Sequence, residues 1–335
     1  MPKDFWNALE NEQIIESIRK RPGMYIGALG LSGLESMIIQ VLDELLKLTD
    51  QPGNARITAE LSKNQLIFSF AVKREWHLTQ EREQNQLSYY FFLQLLLALS
   101  EQLGISIETP AGREIRIYQH GELVKEAAVK SKSEEYRLEL AFTPDSAYFG
   151  TKPLSYFVLF NRCQQLAMLN SGLTITLKEG ETQKNQLVYE EGLVEYIFQK
   201  DNALTRGSRP LTIRTRREDV VIQAVISKNP SANIRDSFVN GYLPPDGGTH
   251  MEGFVQGAVD GMNRFLEETS RMKIITVENF QERFDFVLSI QVSRPRYAGA
   301  VKQKIRNPEL YKILREVVSD EVFRFLTRHP SWYVT

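Results

Sequence analysis

The sequence predicts an α/β chain of two layered halves in series, an α+β sandwich in which each mixed or antiparallel sheet carries its helices on one side. Three observations predict it. Short runs such as QLIFSFAV (65–72) alternate apolar and polar residues, longer runs such as SMIIQVLDELL (36–46) repeat apolar residues at helical spacing, and the periodicity lapses in QKDNALTRGSRP (199–210). At 335 residues the chain exceeds the usual size of one domain, and 42% hydrophobic residues can supply two cores. The expected domains are residues 1–200 and 201–335.

The elements follow in order. Ile14, Ile15 and Ile18 mark a helix over 11–19, which Pro22-Gly23 punctuates with a turn. A second helix covers 34–48. ARITAELS (55–62) and QLIFSFAV read as paired strands turned at Lys63-Asn64. Residues 87–103 are apolar nearly all round and predict a helix buried on most sides. GISIETP, REIRIYQHG and EYRLELAFTP give a strand meander, followed by a helix over 154–169, the turn Asn170-Ser171-Gly172 and the strand LTITLKEG. Strands LTIRTRR and VVIQAVISK open the second half. The turn-rich LPPDGGTH leads into a helix over 251–269 with Val255, Val259, Met262 and Leu266 along one side. The strand FDFVLSIQVS, a basic stretch and a helix over 308–329 complete the chain.

Composition narrows the class. A formal net charge of -1 gives no global attraction to nucleic acid or membrane, so any such contact needs a local patch. The single cysteine, Cys163, excludes an intramolecular disulfide and a cysteine-based metal site. The N-terminus, MPKDFWNALENEQ, lacks the pattern of a secretion signal, and the longest apolar run, YYFFLQLLLAL (89–99), is too short to span a bilayer. A soluble cytoplasmic protein is expected.

At RKRPGMYIG (19–27) the sequence resembles the N-terminal region of bacterial DNA gyrase B subunits and the related topoisomerase IV subunit. The likeness continues through GLESMIIQVLDELL, ALSEQLGISIETPAGREIRIYQHGELV, LNSGLTITLKEG, VYEEGLVEYI, DGGTHMEGF and FDFVLSIQVSRPRYAGAVKQKIRN, collinear over nearly the whole chain. It implies a GHKL (Bergerat-type) ATPase-like domain followed by a transducer domain of the ribosomal S5 domain 2-like fold. The cleavage-associated TOPRIM domain of such subunits is not expected within this chain.

ATP hydrolysis needs a base to orient water, a magnesium ligand, donors for the phosphates and a grip on adenine. The resemblance places Gln40 where the family carries its water-activating glutamate, and Glu44 where it carries the magnesium-binding asparagine. A neutral amide positions water but cannot take its proton. Asp43 keeps the family's residue. At the adenine run the chain reads Phe70-Ala71-Val72-Lys73-Arg74, with no carboxylate and no glycine, and the assisting threonine falls at Leu138 after Arg137. The glycines of the phosphate loop fall on Gln86, Leu87, Tyr90 and Phe92, bulky groups where a bare backbone has to approach the phosphates. The segment after Phe70 is also shorter than the family's, so the lid is expected to be mostly deleted and the cavity filled by side chains of 87–92. A transducer triplet that contacts the γ-phosphate matches Ala300-Val301-Lys302, which keeps only the lysine.

The expectation is a degenerate nucleotide site: no catalytic residues, no metal and no cofactor, with Asp43 and Lys302 as vestigial nucleotide-binding candidates. Such a chain would act as a binding or regulatory protein, through a homodimer or a gyrase or topoisomerase subunit. A divergent ATPase, with Glu44 or Asp43 as the magnesium ligand and Lys302 on the phosphate of ATP, is the alternative. A third reading is a weak DNA-binding accessory factor, using Arg294, Arg296, Lys302, Lys304 and Arg306, with Arg206, Arg209, Arg214, Arg216 and Arg217 as a further basic group. His250 has no second histidine nearby and reads as structural, with Thr249 as N-cap of its helix and Glu252 as the capping-box partner. Cys163 and the run from Tyr89 to Phe92 read as core.

Overall fold

The structure, a computed structural model, describes residues 3–49, 52–62, 65–73, 91–181, 183–200, 209–229, 232–270, 274–298 and 303–334. The chain divides into two compact units, Met1–Glu190 and Glu191–Thr335. This division comes before the lapse in periodicity, because the helix ahead of that lapse packs on strands of the second unit.

In the first unit the helices are α1 (Lys3–Leu9), α2 (Glu12–Lys20), α3 (Gly23–Ile26), α4 (Gly30–Leu46), α5 (Phe91–Leu99), α6 (Ser146–Phe149) and α7 (Tyr156–Leu169). The strands are β1 (Arg56–Ser62), β2 (Gln65–Val72), β3 (Ser100–Thr109), β4 (Gly112–Gln119), β5 (Glu122–Val129), β6 (Tyr136–Pro144), β7 (Thr174–Glu179) and β8 (Gln183–Leu187). They form one sheet in the order β5-β4-β3-β6-β2-β1-β7-β8, antiparallel except for the parallel pair β1 and β7.

Register explains which face is covered. Ile57 lies opposite Phe70, Phe70 opposite Leu138 and Leu138 opposite Ile107, so every second residue of four strands points to one core. Onto that face α4 lays Met37, Ile38, Val41, Leu42 and Leu45, and α7 lays Leu159, Cys163 and Leu166.

The unit carries α1, α3, α6 and β8 beyond the elements expected from the sequence, and two other differences concern the sheet. The helix expected to run to residue 103 stops at Leu99, because Ser100 to Leu103 are taken into the ladders of β4 and β6. Strand β5 has no counterpart among the expected elements; every residue of it is exposed, so no alternation of buried side chains marks it.

In the second unit, α8 (Leu193–Lys200) is followed by β9 (Leu211–Arg217), β10 (Val220–Lys228), β11 (Arg235–Val239), α9 (Thr249–Glu268), α10 (Val277–Arg283), β12 (Phe284–Gln291), β13 (Tyr297–Ala298), β14 (Lys304–Ile305), α11 (Pro308–Arg328) and α12 (Ser331–Val334). Four strands make a sheet in the order β11-β12-β10-β9. Helices α9 and α11 lie against each other at very short range. Gly253, Gly257 and Gly261, one turn apart on α9, back onto the α11 main chain at Tyr311, Arg315 and Ser319. Among the described residues no helix is long and apolar enough to cross a membrane.

Candidate functional site

Gln40, Asp43 and Glu44, three of the residues singled out for nucleotide chemistry, sit on α4, with α2 and α3 before it and α5 and α7 packed beside it. Gln40 is half-buried, and its Nε2 donates to the carbonyl oxygen of Tyr25 on α3 at 3.1 Å. Tyr25 in turn shares a hydrogen bond between its hydroxyl and Ser17 Oγ at 3.2 Å, and its ring meets Phe91 at a centroid distance of 6.0 Å. The amide of Gln40 therefore ties α4 to α3, under an aromatic pair.

Asp43, the residue of the set expected to keep the family's side chain, forms an ion pair with Arg162 of α7, and Arg162 also bonds Gln165 on its own helix. Burial raises the Asp43 carboxyl above its ordinary value, and the neighbouring Arg162 guanidinium only partly opposes this. The carboxylate is thus directed at α7. Glu44 Oε1 pairs with Lys47 Nζ at 2.5 Å one turn along its own helix. Gln40, Asp43 and Glu44 do not converge on one point, since each is engaged with a different element.

Of the residues expected at the adenine and loop positions, most of those described are apolar and buried. Phe70, Ala71, Val72, Phe92 and Leu138 are all buried in the first unit, while Lys73 is exposed. Arg74, Gln86, Leu87, Tyr89 and Tyr90 lie outside the described residues, as do Ala300, Val301 and Lys302. Among the described residues no group of three or more histidine, cysteine, aspartate or glutamate side chains is placed to hold a metal ion. Cys163 is free and buried, and burial pushes its thiol up to about 12, which suits a core residue.

The basic candidates fall on the second unit. Arg294 and Arg306 are exposed; Arg296 faces Glu309 at 3.7 Å and Lys304 faces Glu252 at 3.1 Å. Asn307 folds this segment back on itself: its Oδ1 accepts from Arg296 N at 2.6 Å, and its Nδ2 donates to Arg294 O at 3.2 Å. Arg214, Arg216 and Arg217 are exposed on β9, an edge strand, and Arg214 donates to Glu191 O at 3.1 Å. Arg209 is exposed ahead of β9, and Arg206 lies outside the described residues.

His250 is fully buried, in the first turn of α9. The capping expected of Thr249 is not made. Gly248, at φ 130°, takes the N-cap position, Thr249 Oγ1 is buried without a hydrogen-bond partner, and Glu252 turns instead to Lys304. Glycine is required at 248 because the backbone there is left-handed and a Cβ would lie 2.2 Å from the Ile305 carbonyl oxygen.

With this geometry in place, three comparisons bear on ancestry. A family model for DNA gyrase B matches residues 190–333. The DNA gyrase B protein of Campylobacter jejuni is 26% identical over 94% of this chain and 44% of its own length; that of Archaeoglobus fulgidus is 25% identical over 95% and 55%. The 43K ATPase domain of Thermus thermophilus gyrase B, solved with an aminocoumarin, superposes with a TM-score of 0.80 at 19% identity, over 95% of this chain and 91% of that one. The topoisomerase IV ATP-binding domain of Francisella tularensis gives 0.77 at 21% identity, over 95% and 93%. The chain is gyrase-B-like. Its fold is the GHKL-type α/β fold of those ATPase domains, and it spans about half the length of the curated relatives it matches.

What sequence reading could not supply was the set of partners. That Gln40 would bond a main-chain carbonyl of another helix, or that Asp43 would meet an arginine on α7, depends on the tertiary placement of groups far apart in the chain. The family pattern marked these residues, but no local signal named their contacts.

Proposed function

We propose that this gyrase-B-like chain is a cytoplasmic pseudo-ATPase, a binding or regulatory protein that works through protein contacts with a second copy of itself or with a gyrase or topoisomerase subunit. The observation that carries the reading is the hydrogen bond from Gln40 Nε2 to Tyr25 O at 3.1 Å. At the position where a carboxylate would accept a proton from water, the chain has a donor group already committed to holding two helices together. The remaining residues agree. Asp43 is paired with Arg162, Glu44 with Lys47, and leucine and valine stand where polar groups would grip adenine. No cofactor is assigned under this reading. Contact with DNA is secondary, because Arg296 and Lys304 of the basic group are each faced by a glutamate.

The test is calorimetric titration of the whole chain with a nonhydrolysable ATP analogue and magnesium, beside light scattering and pull-down against gyrase subunits. Absence of nucleotide binding together with a self-associated or gyrase-bound state supports the proposal. Saturable nucleotide binding with phosphate release, in a monomer that ignores gyrase, would replace it by a divergent ATPase.

A further inference from the structure

The first unit holds a cleft of about 660 Å³ that none of the nucleotide-site candidates lines. It opens at the end of the sheet where β1 and β7 finish and β2 begins. There Leu61 and Leu66 meet Leu34 of α4 and Leu154 of the segment between α6 and α7, all four buried or nearly so. The residues at the adenine position lie at the opposite end of β2, from Leu66 to Val72, about 20 Å of strand at roughly 3.3 Å per residue.

The rim is polar and carries uncommitted charge. Glu101 and Glu179 stand on it with Lys152, all exposed, and none of the three forms an ion pair among the described residues. Glu101 occupies the break in register between β3 and β6, where Ser100 pairs with Pro144 and Gln102 with Thr143. A bulge of this kind re-aims a side chain that the ladder would otherwise fix. At the mouth Gly150 and Gly180 have left-handed backbones, at φ 70° and 59°, with nothing within 4 Å of an added Cβ. The main chain is bare there.

We propose that this cleft is a binding site for a small organic cation with an apolar body. Its volume falls in the range that encloses small ligands, its floor is aliphatic, and among the described residues two rim carboxylates against one lysine favour a protonated amine over an anion. The site is independent of the pseudo-ATPase reading, since it shares no residue with the nucleotide candidates.

The experiment uses the intact chain and three probes with one body and different heads: 4-phenylbutylamine, 4-phenylbutanol and 4-phenylbutyrate, titrated by calorimetry and ligand-observed NMR. The amine is expected to bind saturably at one site, about tenfold more tightly than the acid, with the alcohol between them. The paired change Glu101→Gln and Glu179→Gln alters only exposed rim residues and is expected to weaken the amine about fivefold, to the level of the alcohol. Leu154→Trp, which fills the floor, should abolish binding of all three. No saturable amine binding, equal binding of the three probes, or a glutamine pair that binds the amine as the parent does would each overturn the proposal. The rim variant keeps the test decisive if the tryptophan variant fails to fold.

Discussion

Gln40 and Tyr25 are joined by a hydrogen bond from the side-chain amide of one to the main-chain carbonyl of the other, at 3.1 Å. A glutamate at residue 40 has no proton to give at neutral pH, so Gln40→Glu would set a carboxylate against a carbonyl oxygen in a half-buried place. The variant is expected to lose about 1–3 kcal/mol of stability, the usual result of leaving a buried polar group unsatisfied. It is also expected to gain no ATPase activity, because Asp43 and Glu44 remain paired elsewhere. Thermal melts and phosphate-release assays check both parts. Phosphate release at undiminished stability would show that the glutamine is the only obstacle to hydrolysis.

Asp43 and Arg162 give a second prediction, with a sign that depends on pH. The carboxyl of Asp43 is raised by burial, so folding favours its protonated form; its stabilising contribution is present below the ordinary carboxylate pKa and is lost as pH rises through the folded value. Arg162 limits that loss. Arg162→Met removes the cation and leaves the acid, and is expected to cost about 3–5 kcal/mol at neutral pH. The deficit should shrink as the solution is acidified toward the carboxylate range. Urea melts of the parent and variant at two pH values measure it, and the double change Asp43→Asn with Arg162→Met should recover much of the loss.

How much of this was legible beforehand varies by element. The alternation in QLIFSFAV put Leu66, Phe68 and Phe70 on one face, and the register confirms that face as the core side, because alternation of side chains is a local property of a strand. The end of α5 was not legible. Leu103 follows Leu99 at helical spacing, yet pairing with β4 and β6 draws Ser100 to Leu103 into a sheet, and pairing is a long-range event. The candidate residues on α4 were singled out by the resemblance alone, while their contacts with Tyr25, Arg162 and Lys47 needed the fold.

The glycines of α9 are a case where the signal was present and went unread. Gly253, Gly257 and Gly261 recur every fourth residue, a spacing that permits two helix backbones to touch. An added Cβ at Gly257 would lie 2.6 Å from the Arg315 carbonyl oxygen, so the main chain of α11 would have to move. Alanine improves helix propensity by roughly 1 kcal/mol, and the forced separation costs roughly 1–3 kcal/mol or more, so the clash is expected to prevail. Gly257→Ala should therefore lower the melting temperature. The control is Glu267→Ala, an exposed site on the same helix, which should leave it nearly unchanged.

His250 predicts how the second unit responds to acid. It is fully buried, neither ring nitrogen meets a partner at ordinary hydrogen-bond geometry, and the Ser237 backbone acts to raise its pKa against the larger effect of burial. Burial lowers its pKa from 6.5 to about 4. Between those two values the unfolded chain carries a proton on this imidazole that the folded chain does not, so unfolding takes up a proton and stability falls with decreasing pH. The contribution is fully present above about 6.5 and is lost progressively toward about 4, amounting to about 3 kcal/mol, since each pH unit of that interval is worth about 1.36 kcal/mol. His250→Leu removes the titrating group at similar volume and should flatten the pH dependence of stability across that interval. The slope, read from chemical denaturation at a series of pH values, isolates the histidine even if the leucine variant is more or less stable at neutral pH. An unchanged slope would assign the acid sensitivity to other groups.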